Sequence, residues 1–133
     1  MSKAIHVLLI DDDPDDSFLF KEALKRIERS TEYDYCDGGI AALKFLTNNS
    51  NLPDYIFLDL NMPRMNGREV LSELKNDASL KHIPVIIYST SANEEHQRDV
   101  QKLGASLYVT KPYHLADLIK AILMVFETIP SIG

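Results

Sequence analysis

A chain of 133 residues is the length of one ordinary domain, large enough to bury a core without disulfide or metal scaffolding. Acidic residues outnumber Lys and Arg 20 to 14, and the basic residues are dispersed rather than gathered into a stripe, which argues against DNA or RNA as a direct ligand. The lone cysteine, Cys36, excludes an internal disulfide, and no apolar stretch is long enough to span a bilayer; one cytosolic domain over residues 1–133, without membrane contact or an output module, is expected.

The chain opens on the apolar run Ile5 to Ile10, which reads as a buried strand and ends at Asp11, Asp12 and Asp13. A helix follows, with Phe20, Leu24 and Ile27 on one face and Phe18 well away from it. Tyr33 to Cys36 is a second strand, with Cys36 a small core side chain. Ile40, Leu43 and Leu46 or Phe45 mark a second helix, and Tyr55 to Leu58 a third strand ending at Asp59. Val70, Leu71 and Leu74 share a helical face; Val85 to Tyr88 forms a strand ending in Ser89, Thr90 and Ser91. Leu107 to Val109 is the fifth strand, ending at Thr110 and Lys111, and His114 to Glu127 is a strongly apolar last helix. Pro53 and Pro84 stand just before strands, and Gly38, Gly39, Gly67 and Gly104 at junctions. Five βα units in succession predict an α/β fold, a parallel sheet with helices on both faces. The order of its strands does not follow from these patterns.

Four of the five strands therefore deliver polar groups to one rim, which a hydrophobic core does not require. Clustered carboxylates repel one another and call for a hard, oxygen-loving divalent ion, Mg²⁺ or Mn²⁺. Asp59 stands on a rigid strand end, and aspartyl nucleophiles that form acyl phosphates are an established catalytic device. Lys111 offers a point charge and Ser89 a hydroxyl to an arriving phosphoryl group. Asp13, Asp15 and Asp16 exceed the needs of one ion; they serve the start of the first helix, where acids suit the dipole and Pro14 the first turn, or alternatively ligate the ion directly. The four histidines form no metal or catalytic pattern, and Met62 and Met65 are read as covering the pocket's edge.

These motifs resemble the receiver domains of two-component response regulators. The resemblance rests on Leu9-Ile10-Asp11-Asp12-Asp13, on Phe57-Leu58-Asp59-Leu60-Asn61-Met62-Pro63 with Met65-Asn66-Gly67, on Pro84 to Ser89, and on Gly104 to Tyr113, in that order along nearly the whole chain. It implies a flavodoxin-like (βα)5 fold and phosphotransfer to Asp59 from a sensor histidine kinase or a histidine phosphotransfer protein. By the same resemblance Asp12 and Asp59 bind Mg²⁺ through side chains, Asp11 mainly through water, and Asn61 through its backbone carbonyl. Ser89 bonds the phosphoryl group, Lys111 pairs with it, and Tyr108 rotates inward to alter the face that binds a downstream protein. Lys111-Pro112 is the counterpart of the family's cis peptide. The first helix, through Phe18 and Leu19, is the expected docking surface for the kinase. The surplus apolar surface of the last helix, with Met124 opposite the main stripe, suits either a broad core face or a homodimer.

A switch is thus expected rather than an enzyme. An aspartyl phosphatase of the haloacid dehalogenase type needs a second acid two residues beyond its nucleophile, where this chain has Asn61. The alternative is a receiver-like interaction module that is never phosphorylated, against which Asp12, Asp59, Ser89 and Lys111 all stand.

Overall fold

The computed structural model describes residues 3–91 and 93–131. Its elements alternate without exception: β1 (Ile5–Ile10), α1 (Pro14–Lys25), β2 (Thr31–Cys36), α2 (Gly39–Asn48), β3 (Tyr55–Leu58), α3 (Gly67–Asn76), β4 (Val85–Ser89), α4 (Glu94–Lys102), β5 (Leu107–Thr110) and α5 (Leu115–Thr128). All strand pairs are parallel and the order is β2-β1-β3-β4-β5, the flavodoxin-like arrangement. The chain leaves β1 in one direction to β2 and later returns to β3 on the other side. That reversal opens a crevice at the carboxyl ends of β1 and β3.

The inner strands β1, β3 and β4 are predominantly apolar at successive positions because both their faces are covered, whereas the edge strand β2, with Glu32 and Asp34, is only half-buried. Leu8, Ile10, Ile56, Leu58, Val85 and Ile87 point to one side, where Leu46, Val70, Leu71, Leu74 and Val100 of α2, α3 and α4 close over them. Val7, Leu9, Tyr55, Phe57, Ile86 and Tyr88 point to the other, onto Phe20 and Leu24 of α1 and Leu118, Ile122 and Val125 of α5. Phe20 meets Phe57 and Tyr88 edge to face with ring centroids 4.9 and 5.7 Å apart, which fixes α1 against β3 and β4. On α5, Leu115, Ile119 and Leu123 pack at the margin of this second core, leaving Met124 exposed.

Two details depart from the sequence reading. Ile40 lies outside the core, 52% exposed, because the buried stripe of α2 runs through Gly39, Ala42 and Leu46 and Ile40 is one position off it. Gly39 is pressed so closely on α3 that a Cβ there would stand 2.5 Å from Val70 Cγ2. Met62 is buried in the core beneath α2 and α3, not laid over the rim, while Met65 packs at that core's edge. Cys36 is buried, and loss of solvent pushes its thiol up to about 11, as suits an inert core side chain. Among the described residues, no helix is long and apolar enough to cross a membrane.

Candidate functional site

The crevice is built by strand ends. Asp11 follows β1, its amide donating to Cys36 O at 3.1 Å, and Asp59 follows β3, its amide donating to Ile10 O at 2.9 Å. The ladder continued past the strands holds both carboxylates on rigid backbone. Asp11 is fully buried and Asp59 is 5% exposed, whereas Asp12 is exposed. One oxygen from each of the three lies within 4.8 Å of the others. Asn61, two residues past Asp59, is exposed, and its N–H donates to Asp59 Oδ1 at 3.3 Å.

From the far side, β5 delivers Lys111, whose amide donates to Ser89 O at 2.8 Å. Its nearly buried ammonium stands 2.8 Å from Asp11 Oδ2, 2.7 Å from Asp16 Oδ2 and 3.7 Å from Asp59 Oδ2, and 5.4 Å from the centre of the Tyr88 ring. Burial alone would lower the Lys111 pKa, but bonds to Asp11 and Asp16 and the charges of Asp11 and Asp59 hold it above its usual value.

The carboxylates respond in the opposite sense. Burial raises Asp11 despite its contacts with Lys111 and the Asp13 N–H. Burial likewise pushes Asp59 up to about 6; Lys111 pulls it down, and the charges of Asp11 and Asp12 push it further up. One ammonium leaves this group of acids short of positive charge. An oxygen-only donor set with unspent negative charge suits a hard divalent cation.

Ser89 closes β4 and is fully buried; its Oγ accepts the Ser91 N–H at 3.4 Å. Tyr108 on β5 is half-buried, and its hydroxyl donates to Ser91 O at 2.6 Å. Serine and tyrosine thus hold the same residue of the β4–α4 loop from two sides. The Lys111–Pro112 peptide is trans, the form that X-Pro bonds favour by about 0.5–1 kcal/mol, which corrects the cis expectation.

The expected site residues Asp11, Asp12, Asp59, Asn61, Ser89 and Lys111 all fall on one rim. Phe18 on α1 is 68% exposed, whereas Leu19 is half-buried against the second core and is only partly available to a partner. Asp13 caps α1, accepting the Asp15 N–H at 2.9 Å, as its helix-start role requires. Asp16 lies in the first turn of α1, as a helix-start role requires, and its carboxylate also reaches Lys111, a contact the sequence does not announce. The surplus of acids was visible, but its target lies 95 positions away.

A family model described as the response regulator receiver domain matches residues 7–123. The response regulator Rcp1 of Synechocystis sp. is 40% identical over 121 residues, 87% of this chain and 82% of that one. Among solved structures, the phosphorylated cyanobacterial phytochrome response regulator RcpA superposes with a TM-score of 0.87 at 34% identity, covering 98% of this chain and 97% of its own. The Mn²⁺-bound form of Rcp1 does so with a TM-score of 0.82 at 36% identity, covering 96% of each chain. With this fold, and with acids converging at the ends of β1 and β3, the chain belongs to the receiver domains of response regulators, the phosphorelay switches of two-component signalling.

Proposed function

We propose that Asp59 accepts a phosphoryl group from a phosphohistidine on a sensor kinase or a histidine phosphotransfer protein, and that the added charge is converted into a changed protein-binding surface. The observation that carries this reading is the meeting of Asp11, Asp12 and Lys111 around a buried Asp59. Mg²⁺ or Mn²⁺, held by Asp11, Asp12 and Asp59 with the Asn61 carbonyl, supplies positive charge to the phosphoryl oxygens when bound.

Asp59, ionised, bonds to phosphorus as the donor's P–N bond breaks, and the imidazole leaves with a proton drawn from solvent. The Lys111 ammonium and the Ser89 hydroxyl are the groups suited to the phosphoryl oxygens. If Ser89 turns toward them, its Oγ gives up the Ser91 N–H. Ser91 is also the acceptor for Tyr108, so the β4–α4 loop and β5 change together. The phosphoryl group thereby biases a two-state element through contacts made in one state only. Phe18, exposed on α1 beside the rim, is the anchor proposed for the histidine-bearing partner.

Intact-mass measurement after incubation with Mg²⁺ and a small acyl- or amidophosphate tests the reading. A single phosphate-sized gain that disappears in Asp59→Asn is expected. No gain with any such donor would leave an unphosphorylated interaction module.

A further inference from the structure

Helix-start chemistry accounts for Asp13, and a first-turn place suits Asp16 to the helix dipole, but neither explains where the Asp16 carboxylate points. Asp16 is the third residue of α1, the position from which an acid ordinarily reaches back to the N-cap N–H. Here that N–H, of Asp13, donates instead to Asp11 Oδ1 at 2.9 Å, and Asp16 Oδ2 lies 2.7 Å from Lys111 Nζ. An ammonium has three N–H donors. Asp16 accepts one of them, Asp11 Oδ2 pairs with the same nitrogen at 2.8 Å, and Asp59 at 3.7 Å is beyond hydrogen-bond reach. The Lys111 side chain is only 9% exposed, so packing holds it in this arrangement.

We infer that Asp16 is a positioning residue that holds the Lys111 ammonium away from Asp59 and competes for it with an arriving phosphoryl group, thereby opposing the phosphorylated state. The inference rests on reading Asp59 as the acceptor. A phosphoryl group on Asp59 offers Lys111 an anion of higher charge than the carboxylate it replaces. Drawing Nζ toward it lengthens the Asp16 contact, so that contact is worth more in the unphosphorylated state. A contact stronger in one state shifts the equilibrium toward that state by the difference.

The test is calorimetric titration with beryllofluoride, a phosphoryl stand-in, at saturating Mg²⁺. Asp16→Asn keeps the shape and an acceptor but removes the charge, and it is expected to bind beryllofluoride roughly two- to fivefold more tightly than wild type, the scale of a partly exposed charge pair. Asp16→Ala should tighten binding at least as much. With Lys111→Ala in both backgrounds, the gain from Asp16→Asn should shrink toward nothing. Unchanged or weaker binding by both Asp16 variants would overturn the inference, and so would a gain of full size without Lys111, which would mean simple repulsion of the anion. Failure of the Asp59 reading looks different: wild type itself then binds no beryllofluoride and takes up no phosphate, and the inference falls with it.

Discussion

At Asp59, burial sets stability against chemistry. Taking the carboxyl out of water raises its pKa from 3.8 to about 6, although Lys111 pulls the other way. A carboxyl with a raised folded pKa holds its proton more tightly in the folded chain than in the unfolded one. Its contribution therefore favours folding below about pH 4 and is lost as pH rises through about 6. At neutral pH the ionised group costs on the order of 2 kcal/mol. Asp59→Asn removes that cost. In EDTA at pH 7 the variant is expected to be roughly 1–3 kcal/mol more stable than wild type in urea unfolding, with the gap closing toward pH 4. A variant less stable at pH 7 would show that pairing with Lys111 outweighs desolvation.

Two helices position the rim, and each carries its own prediction. On α1, Phe18 is 68% exposed and contributes little to the core, so Phe18→Ala should slow transfer from a phosphohistidine protein while leaving uptake from a small donor within about twofold and the urea midpoint unchanged. Equal rates from the protein donor would remove Phe18 from the docking surface. Leu19→Ala is a different experiment, because Leu19 packs on the second core and its truncation should cost about 1–2 kcal/mol.

At the start of α3, Gly67 brings backbone against backbone. A Cβ there would stand 2.3 Å from Asp59 O and 2.7 Å from Leu60 Cα, and neither atom can swing aside. Gly67→Ala should therefore cost at least ~1–3 kcal/mol and, by displacing Asp59, reduce phosphate uptake; paired urea and intact-mass measurements check both. The sequence shows Gly67 as a junction glycine and as part of the Met65-Asn66-Gly67 motif, but not what it packs against. Its close approach depends on where α3 sits on β3, a tertiary fact with no local pattern. Ile40 is the same kind of case, an apolar residue at a helical spacing that Gly39 and Val70 rotate out of the core.

At the scale of the molecule, the alternation of five strands with five helices was legible chiefly because the inner strands β1, β3 and β4 are buried on both faces and read as apolar runs. So was the site, since parallel strands end on one rim whatever their order. The order itself was not legible, and with it went the contacts that decide charge balance: Lys111 with Asp11 across β3 and β4, and Lys111 with Asp16 on α1. That balance yields the last prediction. The chain carries a formal net charge of −6, and its three converging carboxylates repel one another in the absence of a cation. A cation that binds only the folded arrangement stabilises it by mass action, about 1.4 kcal/mol at ten times its dissociation constant. For a domain of this length that is a rise in Tm of roughly 3–6 °C. Mg²⁺ should produce such a rise, and NaCl at equal ionic strength should not, because screening acts on exposed charges and reaches the buried Asp11 and Asp59 weakly. Asp12 is exposed, so Asp12→Ala should leave the Tm in EDTA within a few degrees of wild type yet abolish the Mg²⁺ increment. An undiminished increment in Asp12→Ala would place the cation elsewhere than on Asp11, Asp12 and Asp59.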